Sequence, residues 1–568
     1  MTERPKLTDA NLSMHPPQPQ RGPVLTVTAA LVCAASLIPS LVWIVRDRRV
    51  WPWDQAWYGE VSVDLWYFFT HAPGQWYQTM ENAFGMKPPA IAWLGQFFVP
   101  LQRVLGSVEA ALLFSILLTQ MVVLMLIYRI CAELAPDSPG LGFGSLGFGG
   151  FGFSSLGFIG IVAAAATQAF AGLSHQYFVE PLQCFAVAWI ILVAVRSREW
   201  PRSRTLIHLA ASLLLGMLAK ASTPLYEFFP IVFILLSLTR RQHPWDFRAE
   251  WRRWPSKALI YAVVVLGAFG AIWYRRNYSA VVEHVRFSAS GEGALHYGFR
   301  APVLQKSIVW LRLLDQGFLE PYLGWVLGIL VLAASAVILF TRTPVAQWRR
   351  SVPIGLMCAA QIVLVVFVFA LNDNLEERLL FALLPYIAIV FVLVSSAARY
   401  RVVHVLVFVA CAAQWATVNR ACFAPAPVLT NQFRWLNPIV TDITAHQEFS
   451  EVVRQTSVFA GYNIVAVQEP WLNENSAAFF AAVNRLHTGV RSNYTSVGYA
   501  EKDPSAAMKR IDGFAARFVI TLDEPHQPSP DFLNVVSLEV LHDLKSSQRF
   551  RPAPFPSRTG IVIFERMP

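Results

Sequence analysis

Trp51-Pro52-Trp53-Asp54-Gln55-Ala56-Trp57-Tyr58-Gly59-Glu60 follows the first long apolar run of the chain and sets carboxylates among aromatic rings. Trp and Tyr collect at headgroup depth, so the stretch reads as the entry to an interfacial segment, with Asp54 able to cap a short helix lying on the membrane. The same carboxylate reads as chemistry if other charged residues, distant in sequence, share its face of the membrane.

The apolar runs around this stretch decide the class. Of 568 residues, 55% are hydrophobic and 14% charged, and mean hydropathy is +0.44, too apolar for a soluble globule. Spans are expected at 23–45, 110–134, 153–172, 180–195, 205–220, 224–239, 258–274, 321–341, 353–371, 379–397 and 402–419, about eleven by length and hydropathy. The chain is therefore read as a polytopic α-helical membrane protein. The first run lacks an A-x-A-like cleavage site and leads into further spans, so it is expected to be retained.

Net charge is +10, yet much of the Lys and Arg sits in short loops between spans. Arg196, Arg198, Arg202 and Arg204 form one cluster; Arg240, Arg241, Arg248, Arg252, Arg253 and Lys257 a second; Arg342, Arg349 and Arg350 a third; Arg399 and Arg401 a fourth. All four fall on one side of the eleven-span count, which the positive-inside rule makes cytoplasmic. No nucleic-acid partner follows from the charge. Arg46, Arg48 and Arg49 fall on the opposite side, where they either meet lipid headgroups and acidic ligands or mark an error in the count.

Three regions result. Residues 1–22, with Arg4, Lys6 and Arg21, read as a disordered cytoplasmic tail. Residues 23–419 form the membrane module, with a first outer loop over 46–108 whose segments 61–69 and 90–104 read as amphipathic interfacial helices. Residues 420–568 have ordinary soluble texture and read as an extracytoplasmic α/β domain, with strands at 463–467, 518–522, 535–540 and 560–564 and helices at 448–460, 476–486 and 506–513. The Gly-Phe run over 140–160 reads as a helix-packing seam rather than a phosphate cradle, since no strand precedes it and no G-x-x-x-x-G-K-[ST] occurs. The six cysteines form no C-x-x-C pair or disulfide framework.

On the outer face this topology gathers Asp54, Glu60, Lys87, His175, Glu180, Lys220, Glu376, Glu377 and Arg378. Ionisable groups at such depth are costly. Snorkelling to headgroups accounts for each singly but does not predict both signs clustered on one side.

Several fragments resemble the GT-C fold glycosyltransferases that use lipid-phosphate sugar donors, a family including protein O-mannosyltransferases and the lipid A aminoarabinose transferase. They are Asp54-Gln55-Ala56-Trp57-Tyr58, Lys87-Pro88-Pro89-Ala90-Ile91-Ala92-Trp93-Leu94, Glu180-Pro181-Leu182, Gly216-Met217-Leu218-Ala219-Lys220, and Glu377-Arg378-Leu379-Leu380 followed by Leu384-Pro385. They occur in the family's order and span about the first 400 residues. The resemblance implies transfer of a sugar from a polyprenyl-phosphate donor to a lipid, glycan or protein acceptor outside an inner membrane, with inversion at the anomeric carbon. Asp54 matches the family's first-loop catalytic acid residue, which takes the proton from the acceptor. The family commonly carries Asp-Glu where this chain has Asp54-Gln55, so the second carboxylate is open between Glu60 and Glu180. No cofactor is implied with certainty, and a divalent metal, open for the family, has no support in the sequence. Lys87, Lys220 and Arg378 are the candidates for holding the donor phosphate, and Tyr58, His175 and Glu377 are further site candidates.

Two other classes compete. A lipid-linked sugar transporter or flippase would also carry buried charges and broken helices, but internal repeats, its usual mark, are not evident. A sensor whose outer domain binds a ligand needs far fewer spans.

Overall fold

The computed structural model describes residues 23–134, 155–240, 257–341, 351–397, 401–529 and 531–568. The tail 1–22, most of the Gly-Phe run, and Arg241, Arg248, Arg252, Arg253, Arg342, Arg349, Arg350 and Arg399 lie outside them.

The membrane module is built from α1 (Pro23–Arg46), α2 (Trp53–His71), α3 (Val108–Leu134), α4 (Ser155–Ala165), α5 (Glu180–Arg196), α6 (Arg202–Ala219), α7 (Thr223–Thr239), α8 (Lys257–Ser290), α9 (Val303–Leu314), α10 (Leu323–Thr341), α11 (Ser351–Leu371), α12 (Leu384–Ala397) and α13 (Arg401–Ala421). Among the described residues six helices are long and apolar enough to cross a membrane, and a seventh crossing arises if Val303–Leu319 and Leu323–Ser335, bent by 97°, count as one span. The chain is an integral membrane protein. Each of the eleven expected spans overlaps a helix, but several helices are too short to span a bilayer alone, so the count of eleven is not established by length and composition.

Three expectations for the membrane module change. The run at 153–172 is not one helix, because Thr167 breaks it and caps a second short helix, Gln168–Leu173, accepting the Phe170 amide at 3.1 Å. The run at 258–274 continues to Ser290, since polarity does not stop a helix and the next breaker is Gly291. Finally, α2 begins at Trp53 and does not lie free on the interface. It is clamped between the membrane module and the C-terminal domain, burying Gln55, Ala56, Tyr58, Gly59, Ser62, Val63, Asp64 and Leu65.

The C-terminal domain comprises α14 (Thr444–Thr456), β1 (Tyr462–Val465), α15 (Glu474–Thr488), β2 (Asn493–Ser496), α16 (Pro504–Gly513), β3 (Phe518–Leu522), α17 (Ser537–Ser546), β4 (Phe550–Ala553) and β5 (Ile561–Arg566). The sheet order is β2-β1-β3-β5-β4, with β2, β1 and β3 parallel and β5 and β4 antiparallel to their neighbours. Strand alternation feeds two cores: Val465, Ile520 and Ile563 pack with Phe449 and Phe480 of α14 and α15, while Ile464, Val519 and Phe564 pack with Ile511 and Leu541 of α16 and α17. The run at 535–540, expected as a strand, instead leads into α17. A short apolar run does not distinguish strand from helix by periodicity.

Four features dock this domain. Gly59 of α2 lies against Phe479 of α15, where a Cβ would fall 2.8 Å from the ring, so only glycine allows this approach. Trp51 stacks on Phe479 at 5.1 Å, and its carbonyl accepts the Ser476 hydroxyl at 2.6 Å. Asp64 pairs with Arg491 at 2.9 Å and Arg485 at 3.3 Å. Arg49, anomalous in the span count, is used internally, pairing with Asp47 at 2.9 Å and donating to the Pro438 carbonyl.

Candidate active site

Asp54 sits in the first turn of α2, one residue after Trp53, whose φ of +26° is a conformation aromatic residues rarely adopt. Phe84, at φ +62°, packs edge-on to Trp57 and Tyr58, both at 5.3 Å. Strained backbone of this kind persists where surroundings over-determine it, commonly at functional sites.

Pro88 and Pro89 separate Lys87 from the short helix Ala90–Gly95, leaving its side chain free to turn toward α2. The ammonium lies 2.7 Å from Asp54 Oδ1 and over the rings of Trp57 and Tyr58 at 5.0 and 5.4 Å. On the other carboxylate oxygen sits the guanidinium of Arg378, 3.0 Å from Asp54 Oδ2. Arg378 belongs to the 3-10 run Glu377–Leu383, which Tyr226 of α7 pins by donating its hydroxyl to the Leu379 carbonyl. Its guanidinium is enclosed by aromatic rings, 4.6 Å from Phe178 and 5.2 Å from Trp435, the latter donating its indole N–H to Glu376 at 3.0 Å.

Glu180 opens α5 with Pro181 behind it, a favourable place for both an anion and a proline. Its Oε1 receives Lys220 at 2.8 Å and faces Arg378 Nε at 3.7 Å. Lys220 follows the last residue of α6, where Gly216 lets the chain double back: Thr223 donates to the carbonyls of Gly216 and Lys220 at 2.8 and 2.7 Å, and a Cβ on Gly216 would meet the Thr223 methyl at 2.6 Å.

The sequence motifs therefore meet in one network, Lys87–Asp54–Arg378–Glu180–Lys220, with Glu376 at 4.0 Å from Arg378. The three cations do not face an open phosphate cradle; carboxylates already bridge them. Asp54 is partly open, its side chain 28% exposed, whereas Glu180 is 1% exposed. Burial pushes the Asp54 carboxyl up, but Lys87 and Arg378 outweigh it and hold the group well below the usual carboxylate range, so it is ionised at neutral pH. From the C-terminal domain, Tyr499 feels the same charges: burial, the neighbouring Tyr297 and the Asp54 field push its phenol up to about 12.

Three sequence candidates lie apart. Glu60 stands six residues along α2, about two-thirds of a turn round the helix, and faces Arg491 at 3.6 Å rather than the Asp54 network. His175 is buried against Trp43, ring centroids 4.1 Å apart, where burial and the charge of Arg49 push it down to about 3. Glu377 turns away from Arg378 and accepts the Arg434 amide. Phe178 and Trp435 carry no distinguishing signal in the sequence, because aromatic rings are common throughout this chain. Among the described residues no three His, Cys, Asp or Glu side chains gather as metal ligands.

The network lies at one end of the helix bundle. From Glu180, α5 runs about 25 Å to Arg196, which pairs with Glu133 and Glu199, and α6 returns from Arg202 to Lys220. The first basic loop is thus at the end of the bundle opposite Asp54.

No family model matches the chain, and no curated protein matches it. Among solved structures it is similar to ArnT from Cupriavidus metallidurans bound to undecaprenyl phosphate, with a TM-score of 0.59 at 12% identity over 95% of this chain and 98% of that one. The apo state of the same ArnT gives a TM-score of 0.55 at 14% identity over the same shares. An arabinofuranosyltransferase AftD from mycobacteria gives 0.49 at 12% identity, covering 95% of this chain and 40% of that one. The chain has the GT-C fold of membrane glycosyltransferases.

Proposed function

We propose that this protein is an inverting membrane glycosyltransferase that moves a sugar from a polyprenyl-phosphate donor to a lipid, glycan or protein acceptor on the extracytoplasmic side. The observation that carries this reading is the ionised Asp54 carboxylate held between Lys87 and Arg378 in a partly open site. It stands on a fold shared with a protein crystallised with undecaprenyl phosphate.

The chemistry follows from competition for the two cations. A donor phosphate arriving at Lys87 and Arg378 takes over their hydrogen bonds, and Asp54, released from two positive charges, becomes a stronger base. Asp54 then accepts the proton of the acceptor hydroxyl as that oxygen bonds to the anomeric carbon. The bond from that carbon to the phosphate oxygen breaks, and the electron pair leaves with the polyprenyl phosphate, whose charge the cations hold. Glu180 and Glu376, with Phe178 and Trp435, fix Arg378 in place, and Lys220 balances Glu180. In this reading Glu180, rather than Glu60, is the second carboxylate.

Lipid and envelope-glycan mass spectrometry of a strain lacking the gene, compared with one restored by wild type or by Asp54→Asn, tests the reading. A glycosylated species lost on deletion and restored only by wild type is expected; restoration by Asp54→Asn would sink it. For sidedness, impermeant thiol reagent should reach single cysteines placed in the C-terminal domain of intact cells but not one at Arg198. The reverse pattern would overturn the orientation.

A further inference from the structure

A second recess lies away from the Asp54 network, and none of the residues lining it belongs to that network. It has a volume of about 780 Å³ and is lined by Gln168, Asp315, Glu320, Tyr322, Trp325 and Thr430, among others. Its wall is the break in the bent span: α9 ends in a π-turn, Asp315–Leu319, and α10 starts at Leu323 in a new direction. π-turns and interrupted membrane helices recur at binding sites.

The break is built rather than frayed. Gln414 of α13 accepts the amides of Tyr322 and Leu323, both at 2.8 Å, and donates to the Ala166 carbonyl at 3.1 Å. Buried Gln168 ties down the opposite wall, donating to the Asn431 carbonyl at 3.2 Å and accepting the Phe433 amide at 2.8 Å. Asn431 donates to Glu320 Oε1 at 3.0 Å.

Two properties identify an occupant. Among the described residues neither Asp315 nor Glu320 makes an ion pair, and no basic residue lines the recess, so the wall formed by the break presents two carboxylates with no cation beside them. From the rim an apolar stripe also runs down α10: Trp325, Ile329 and Leu332 are 80%, 66% and 72% exposed, at the spacing of one helix face. An uncompensated acid favours a cation with hydrogen-bond donors, and an exposed apolar face on a membrane helix favours acyl chains.

We infer that this recess is a binding site for a membrane lipid with a primary ammonium headgroup, the ammonium lying between Asp315 and Glu320 and an acyl chain along Trp325, Ile329 and Leu332. The inference is independent of the transferase reading, since it uses neither Asp54 nor its cations.

Native mass spectrometry of the delipidated full-length protein tests it, with phosphatidylethanolamine, phosphatidylcholine and phosphatidylglycerol of identical chains offered in turn. Phosphatidylethanolamine should be retained about ten- to a hundredfold better than phosphatidylcholine, which carries the same phosphate but no N–H. In Asp315→Asn/Glu320→Gln the preference should vanish while the unfolding temperature stays close to wild type. Trp325→Ala, at a lipid-facing position that does not threaten folding, should lower retention of every phospholipid without changing the order of preference. Equal retention of the two zwitterionic lipids by wild type, or an unchanged preference in the double variant, would overturn the site. Displacement of the lipid by millimolar free ethanolamine would overturn the lipid assignment in favour of a soluble amine.

Discussion

The two ends of helix α2 carry the same kinds of charge for different ends. At its start, Asp54 is 28% exposed and touches Lys87 and Arg378, in a network left partly open. Three turns on, Asp64 is 7% exposed and held by Arg485 and Arg491, with Arg485 laid over Tyr67 at 3.8 Å. The second cluster joins two folding units and buries its central carboxylate between them, although Arg491 reaches the surface. Carboxylates paired with arginine do not by themselves mark an active site; access does.

The largest expected effect separates the two ends most clearly. Asp54→Asn should lower turnover by at least about 10²-fold, because an amide cannot act as a base, and leave the unfolding temperature close to wild type. Arg485→Ala should do the opposite: up to about 3 kcal/mol of stability lost by strand-exposing proteolysis or thermal unfolding, since Asp64 then keeps only Arg491. Normal stability there would demote the α2–α15 cluster from latch to surface pairing.

Arg378→Ala should weaken binding of a polyprenyl-phosphate analogue about ten- to a hundredfold, measured by titration, with Arg378→Lys recovering part of the loss because the charge returns without the fork. Unchanged affinity in both would return Arg378 to a purely structural role.

The pH dependence should belong to the other end. Burial, and then repulsion from Asp64, push the Glu60 carboxyl from 4.5 up to about 8, with Arg491 opposing. The folded state therefore holds this proton to higher pH than the unfolded chain does. Docking of the C-terminal domain should be strongest below about pH 4.5 and weaken as pH rises to about 8, by no more than about 2 kcal/mol because Asp64 shares the titration. Hydrogen exchange across α15 at pH 5.5 and 8.5 would read this slope, and Glu60→Gln should flatten it. A slope unchanged in Glu60→Gln would assign the titration elsewhere.

The smallest effect concerns Trp435. Trp435→Phe keeps a ring beside Arg378 but removes the hydrogen bond to Glu376, so donor affinity should fall by a few fold, about 1 kcal/mol, with little change in turnover at saturating donor. A loss confined to turnover would show that Trp435 acts on the reacting atoms instead of through Arg378.

The sequence by itself determined the membrane class, the helical regions and the residues Asp54, Lys87, Glu180, Lys220 and Arg378, because long apolar runs and costly charges at their ends are local signals. It also located β1, β3 and β5, which are short, largely apolar and β-branched runs. Edge strands β2 and β4 escaped because Asn-Tyr-Thr-Ser and Phe-Arg-Pro-Ala lack that pattern, and Pro552 is tolerated only where no ladder bond is required. Only the tertiary structure decided which carboxylates share a site. Glu60 lies six residues from Asp54 yet faces another domain, while Glu180 and Arg378, far away in sequence, reach the same network. Helix rotation separates neighbours in sequence, and bundle packing joins distant helix ends; neither is encoded in the spacing of charges along the chain.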